Sequence, residues 1–194
     1  MPTIQPSTRQ IQPGRPYPLG ATLLDGGVNF SVFSKNATSV QLLLFDPQDH
    51  GRLIDTITLD PEQNRTHYYW HVQVDGIGDG QHYAYRVFGP YQTERGLRFN
   101  ASKELFDPYA RALSTGERYV RADGYGVHDN IATAARALIV DTRGYDWEGD
   151  QPLRRPFSET IIYETHVRGM TIHPSSGVKC PGTYAGLVEM IPYL

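Results

Sequence analysis

Five short stretches in which apolar side chains fall on every second residue constrain this chain more than any other feature. Val28, Phe30 and Val32 alternate with Asn29 and Ser31, and Val40, Leu42 and Leu44 follow in the same rhythm. Residues 53–59 make a third stretch. A fourth, His67–Val74, puts Tyr68, Trp70, Val72 and Val74 on one face, and a fifth, Gln81–Phe88, does so with Tyr83, Tyr85 and Val87. A period of two marks a strand with one face buried. Between the stretches lie chain breakers: Lys35-Asn36-Ala37-Thr38, Asp46-Pro47, Asp60-Pro61 and the glycine-rich run from Asp75 to Gly80. That last run reads as a hairpin connection. Strands at intervals of about 8–14 residues predict an immunoglobulin-like β-sandwich. The 13 tyrosines and 19 glycines agree, since aromatic residues suit strands and glycine suits tight turns.

The rhythm changes on either side of this region. Residues 1–14, rich in Thr, Gln, Pro and Ser, read as a flexible leader, and the sandwich is expected over 15–112. Residues 113–157 show little periodicity and read as a connecting segment, with one further strand near Ala137–Val140. Over 158–194 a second architecture is predicted. Ile161, Tyr163, Thr165 and Val167 alternate in a strand beginning at Thr160, and Thr183 is placed to cap a helix carrying Leu187, Val188, Met190, Ile191 and Leu194. Strand, loop and helix open a βα repeat, yet one such unit cannot cover its strand on both faces. With 194 residues the chain falls short of the roughly 250 that a (β/α)8 barrel takes. The expected fold is therefore mainly β: a sandwich followed by an incomplete, truncated start of a barrel.

A net charge of −3 with scattered charges argues against nucleic acid as a partner. No apolar run approaches the roughly 20 residues of a membrane span, and Met1–Pro16 lacks the apolar stretch of a secretory signal. Cys180 is the single cysteine, which excludes an intramolecular disulfide and fits a reducing compartment. These features predict a cytoplasmic protein with no membrane partner.

Motifs for phosphate, dinucleotide, nucleophilic-serine or zinc chemistry are missing, so no cofactor and no metal is expected. His67 and His71 would stand about 13 Å apart along one strand face, too far for one ion, and read as surface residues. Most carboxylates sit in turns, where turn chemistry accounts for them. Glu164 differs, because it lies inside an apolar stretch with His166 two residues on and Arg168 at its end. Those three are expected to form a polar network on the first barrel strand. The second candidate group is aromatic. Trp70, Tyr83 and Tyr85 offer flat rings for the C–H faces of a sugar, or else fill the sandwich core.

Several longer motifs carry a resemblance. They are Gly80-Gln81-His82-Tyr83-Ala84-Tyr85-Arg86-Val87-Phe88-Gly89-Pro90-Tyr91, Arg98-Phe99-Asn100 and Leu105-Phe106-Asp107-Pro108-Tyr109-Ala110. Asp146-Trp147, the run from Ile162 to Thr171, and the run from Gly182 to Leu194 continue it. In this order and spacing the chain from about Gly14 onward resembles the N-terminal part of isoamylase-type debranching enzymes. The resemblance implies a glycogen-binding-like module before a (β/α)8 barrel that hydrolyses α-1,6 branch points of glycogen or amylopectin by a retaining mechanism. It implies an α-glucan and the remainder of a catalytic barrel as partners. The family's catalytic acids lie on later barrel strands, so no catalytic residue is carried over, and these residues alone are expected to be inactive. The alternative is a stand-alone glucan-binding or regulatory module without catalysis.

Overall fold

The computed structural model describes residues 9–114 and 118–194. They fall into two units, one ending at Tyr145 and the other spanning Asp146–Leu194. The first holds the strands β1 (Ile11–Gln12), β2 (Gly20–Leu24), β3 (Gly27–Phe33), β4 (Ser39–Phe45), β5 (Leu53–Thr58), β6 (Arg65–Thr66) and β7 (Tyr69–Asp75). After them come β8 (His82–Phe88), β9 (Tyr91–Gln92), β10 (Leu97–Arg98), β11 (Glu104–Leu105), β12 (Ala112–Ser114) and β13 (Arg136–Leu138). One sheet runs β1-β7-β3-β2, with β6 also on β7, and the other runs β12-β13-β8-β4-β5, with β11 also on β8. β9 and β10 form a small hairpin of their own. Every pairing is antiparallel.

The mainly β character expected from the sequence is what the chain adopts, and the five alternating stretches become β3, β4, β5, β7 and β8. Their apolar faces meet in one core, with Phe30, Trp70 and Val72 from one sheet and Leu42, Leu44 and Tyr85 from the other. The glycine-rich run after Asp75 is not a hairpin. β7 pairs with β3 and β8 pairs with β4, so the run carries the chain from one sheet to the other. Alternation tells which residues share a face; it does not tell which strand lies alongside.

The sheets also extend beyond the stretches that the sequence marked. β12 and β13 add to the edge of β8, inside the segment read as connecting. Residues between them cover the outer face of that sheet, where Leu43, Phe45 and Ala84 pack with Ile131 and the Arg136 guanidinium lies 4.0 Å from the Phe45 ring. This cover explains why Leu42–Phe45 is apolar at every position: β4 is buried on both faces.

At the other end, residues 1–8 of the expected leader lie outside the described residues, but Ile11–Gln12 pairs with Val74 and Gln73. Polar groups of the sheet hold the following turn. Asn29 donates to the Arg15 carbonyl at 3.0 Å and accepts from its N–H at 2.8 Å, and Ser31 donates to the Pro16 carbonyl at 2.7 Å. Gly14 is required there. Its φ is +74°, and a Cβ would stand 2.7 Å from the Val72 carbonyl carbon. His71, expected on the surface, is buried in the same place. The Pro13 carbonyl accepts from its Nδ1 at 2.9 Å, leaving Nε2 to accept from the Thr66 hydroxyl at 2.9 Å.

In the second unit, α1 (Val167–Thr171) and α2 (Tyr184–Val188) are short helices. Thr183 caps α2 as its position predicts, accepting from the Gly186 N–H at 3.1 Å. The strand expected over 160–167 is not formed among the described residues. Thr160 and His166 are extended, but nothing between them joins a ladder, and Val167 already opens α1. A strand is made by its neighbour's hydrogen bonds, and here none is alongside.

Candidate functional site

The three aromatic candidates lie in the core. Trp70 is fully buried, with its indole N–H donating to the Ser34 carbonyl at 3.3 Å and the Arg65 guanidinium 4.9 Å from its ring. Tyr83 packs edge-on to Phe30 at 5.0 Å and donates its hydroxyl to Asp107 at 2.9 Å. Burial drives the Tyr83 hydroxyl far above its ordinary range, with the neighbouring Asp107 charge adding to the effect. The Asp107 carboxyl is itself raised by burial, against hydrogen bonds from the Tyr109 N–H and Tyr83. None of the three rings turns a face outward, so stacking on a sugar is not open to them.

Tyr85 keeps one unused group. The residue is 2% exposed, and its hydroxyl has no hydrogen-bond partner. A buried hydroxyl in that state costs about 1–3 kcal/mol, so its persistence calls for an explanation. The side chain lines a groove of about 710 Å³, within the usual range of roughly 300–1,000 Å³ for small-molecule sites.

Several segments wall this groove. The end of β3 and the turn after it supply Phe33, Lys35 and Asn36. Phe33 is half exposed and set edge-on against Tyr69 at 5.5 Å. The β9–β10 hairpin supplies Tyr91, which is 69% exposed, together with Arg98 and Phe99. Gly89 makes this hairpin's approach possible, because a Cβ there would come within 2.6 Å of the Phe99 ring. Leu105, Phe106 and Tyr125 complete the lining. Exposed rings interspersed with amide and cationic groups suit a ligand that has both apolar faces and hydroxyls.

Behind the groove, β11 turns Glu104 to the other side. Its carboxylate lies 3.1 Å from Arg136 and 3.6 Å from Arg86, which also reaches Asp129 at 2.8 Å. Burial outweighs both cations and lifts the Glu104 pKa to about 7. The same burial pulls Arg136 down. This cluster fastens the covering segment to the sheet.

In the second unit the expected network of Glu164, His166 and Arg168 is not assembled. His166 instead caps α1, its Nδ1 accepting from the Gly169 N–H at 3.0 Å. All three side chains are solvent-accessible, and no hydrogen bond or ion pair among the described residues joins them. No group of three potential metal ligands gathers anywhere among the described residues.

A β-sandwich bearing an aromatic groove is a common plan for a carbohydrate-binding module. Residues 18–110 match carbohydrate-binding module 48, the isoamylase N-terminal domain. Over 188 residues the chain is 41% identical to the chloroplastic isoamylase 1 of Oryza sativa subsp. japonica, covering 95% of this chain and 23% of that protein. It is 40% identical over 189 residues to the glycogen debranching enzyme of Yersinia enterocolitica, covering 93% and 28%. The chain thus spans about a quarter of the length of these relatives.

Among solved structures, the Paenibacillus barengoltzii pullulanase in complex with maltohexaose and α-cyclodextrin superposes with a TM-score of 0.57 at 27% identity, over 88% of this chain and 22% of that one. The catalytic module of the glycogen-degrading pneumococcal virulence factor SpuA gives 0.61 at 22% identity, over 91% and 25%, a likeness of fold.

Proposed function

We propose that this chain is the N-terminal portion of a debranching α-1,6-glucosidase acting on glycogen or amylopectin, and that its sandwich binds the α-glucan in the Phe33–Tyr91 groove. The observation that carries the binding is a groove walled by the exposed rings of Phe33, Tyr91 and Tyr125, in a chain whose residues 18–110 match a carbohydrate-binding family. Glucose rings lay their C–H faces on Tyr91 and Phe33. Identity to isoamylases and glycogen debranching enzymes along nearly the whole chain supports the enzyme class.

The remainder of a catalytic barrel is the second partner. Ile161 is 96% exposed, and Phe157 and Ile162 are exposed beside it, an apolar stretch that needs strands on either side. The reading includes a reducing, cytoplasmic setting, in keeping with the exposed free thiol of Cys180. Among the described residues no helix is long and apolar enough to cross a membrane.

Electrophoresis through gels containing glycogen or amylopectin tests the binding. Retardation that falls about tenfold in affinity for Tyr91→Ala is the expected result, with no reducing ends released. Migration unaffected by either glucan would overturn the binding site. Reading the gene beyond the Leu194 codon separates the enzyme from the stand-alone module: later barrel strands bearing carboxylates support the first, and an immediate stop supports the second.

A further inference from the structure

The segment Arg121–His128 borders the same groove as Tyr91 and contributes Gly124, Tyr125 and Gly126 to its lining. Nothing apolar holds it there, for every residue from 121 to 129 is exposed. It is held instead by two side chains of one turn, Asn100 and Lys103, which donate to its main-chain carbonyls. Lys103 is only 5% exposed, and its ammonium donates to the Asp123 carbonyl at 2.8 Å and to the His128 carbonyl. Asn100 donates to the Gly126 carbonyl between them at 2.9 Å. A buried ammonium is costly unless its hydrogen bonds are met, and this one meets carbonyls at both ends of the segment. From beyond the segment, the Thr133 hydroxyl donates to the Asp123 carboxylate at 2.7 Å.

Resting on the glucan reading of the groove, we propose that Arg121–His128 is a fixed wall that presents Tyr125 to the bound sugar chain, and that Lys103 is the residue that positions it. Tyr125 is 71% exposed, so its ring is available while its backbone is already placed. A wall ordered before binding spares the complex the entropy of ordering it, and that raises affinity without any new contact. Two tyrosines of one groove then contact one α-glucan chain, Tyr91 from the β9–β10 hairpin and Tyr125 from the wall.

Calorimetric titration of the full chain with maltoheptaose tests this. Tyr125→Ala is expected to weaken binding about five- to tenfold, from the usual worth of one aromatic contact. Lys103→Met is expected to weaken it by a similar factor at an unchanged unfolding midpoint, and the double variant no further than Tyr125→Ala alone. Additive losses would overturn the positioning role, because Lys103 would then act by another route. Wild-type affinity in Tyr125→Ala would remove the wall while Tyr91→Ala still weakens binding and the groove reading stands. Absence of maltoheptaose binding by the unaltered chain would overturn both. Should Lys103→Met not fold, Asn100→Ala, which cuts the Gly126 tie, takes its place in the same cycle.

Discussion

Residues 27–33 and 157–163 each carry four large apolar or aromatic side chains in seven positions, and they have opposite fates. In the first, Val28, Phe30 and Val32 vanish into the core. In the second, Phe157, Ile161 and Ile162 stand in solvent. The difference is not hydrophobicity. β3 has β2 on one side and β7 on the other, each supplying a full ladder, whereas 157–163 has no ladder among the described residues. An apolar sequence specifies a strand only together with what lies beside it.

The sharpest test of that contrast is Trp70→Ala, which empties the largest fully buried side chain. It is expected to cost about 3–5 kcal/mol in urea unfolding, with glucan affinity of the folded fraction unchanged. A small loss would mean that the sandwich is packed no better than the exposed stretch.

The next test concerns the buried charge on the covered face. Glu104 has a pKa of about 7 when folded against 4.5 for an unperturbed glutamate, so the folded state holds its proton more tightly. Its contribution is full below about pH 4.5 and is lost as pH rises through about 7, a fall on the order of 3 kcal/mol. Glu104→Gln is expected to flatten that part of the stability–pH profile measured by urea titration. An unchanged slope would show that the covering segment does not bury this carboxylate.

Two tyrosines one strand position-pair apart refine the picture within the core itself. Tyr83→Phe breaks the bond to Asp107 and is expected to cost about 1–2 kcal/mol. Tyr85→Phe removes an orphan hydroxyl and is expected to stabilise by up to about 1 kcal/mol, with maltoheptaose binding unchanged. Destabilisation by both would show that the Tyr85 hydroxyl has a partner in the core after all. Smallest of all, Ile161→Ser is expected to change stability by less than about 0.5 kcal/mol by the same measurement. A larger loss would break the comparison from its other side.

Much of the sandwich was legible because period two reports burial directly, as at Val28-Phe30-Val32 and Tyr83-Tyr85-Val87. The same signal misled where a ligand was sought. Rings at alternating positions on a half-buried strand face the core, which is where Trp70, Tyr83 and Tyr85 lie. The groove's exposed rings, Phe33, Tyr91 and Tyr125, sit at a strand end, in a hairpin and in an irregular segment, where no period points to them. The glycine and proline before Tyr91 were the only local hint that a ring there would project. Buried polar residues were equally silent: His71 and Glu104 found partners in Pro13 and Arg136, many residues away in the chain.

The crossing from β7 to β8 has a consequence for how the chain reaches this fold. Phe30 lies opposite Val72 and Leu42 opposite Tyr85, so the central pair of each sheet joins positions 42 and 43 residues apart. Non-local pairings of this kind slow folding, because loop entropy is lost before the contacts repay it. Yet β3 leads to β4, and β7 to β8, through short links. Bringing β3 against β7 therefore carries β4 to within reach of β8, and one loop closure serves two sheets. Refolding of the sandwich should then be a single slow kinetic event in which neither sheet precedes the other.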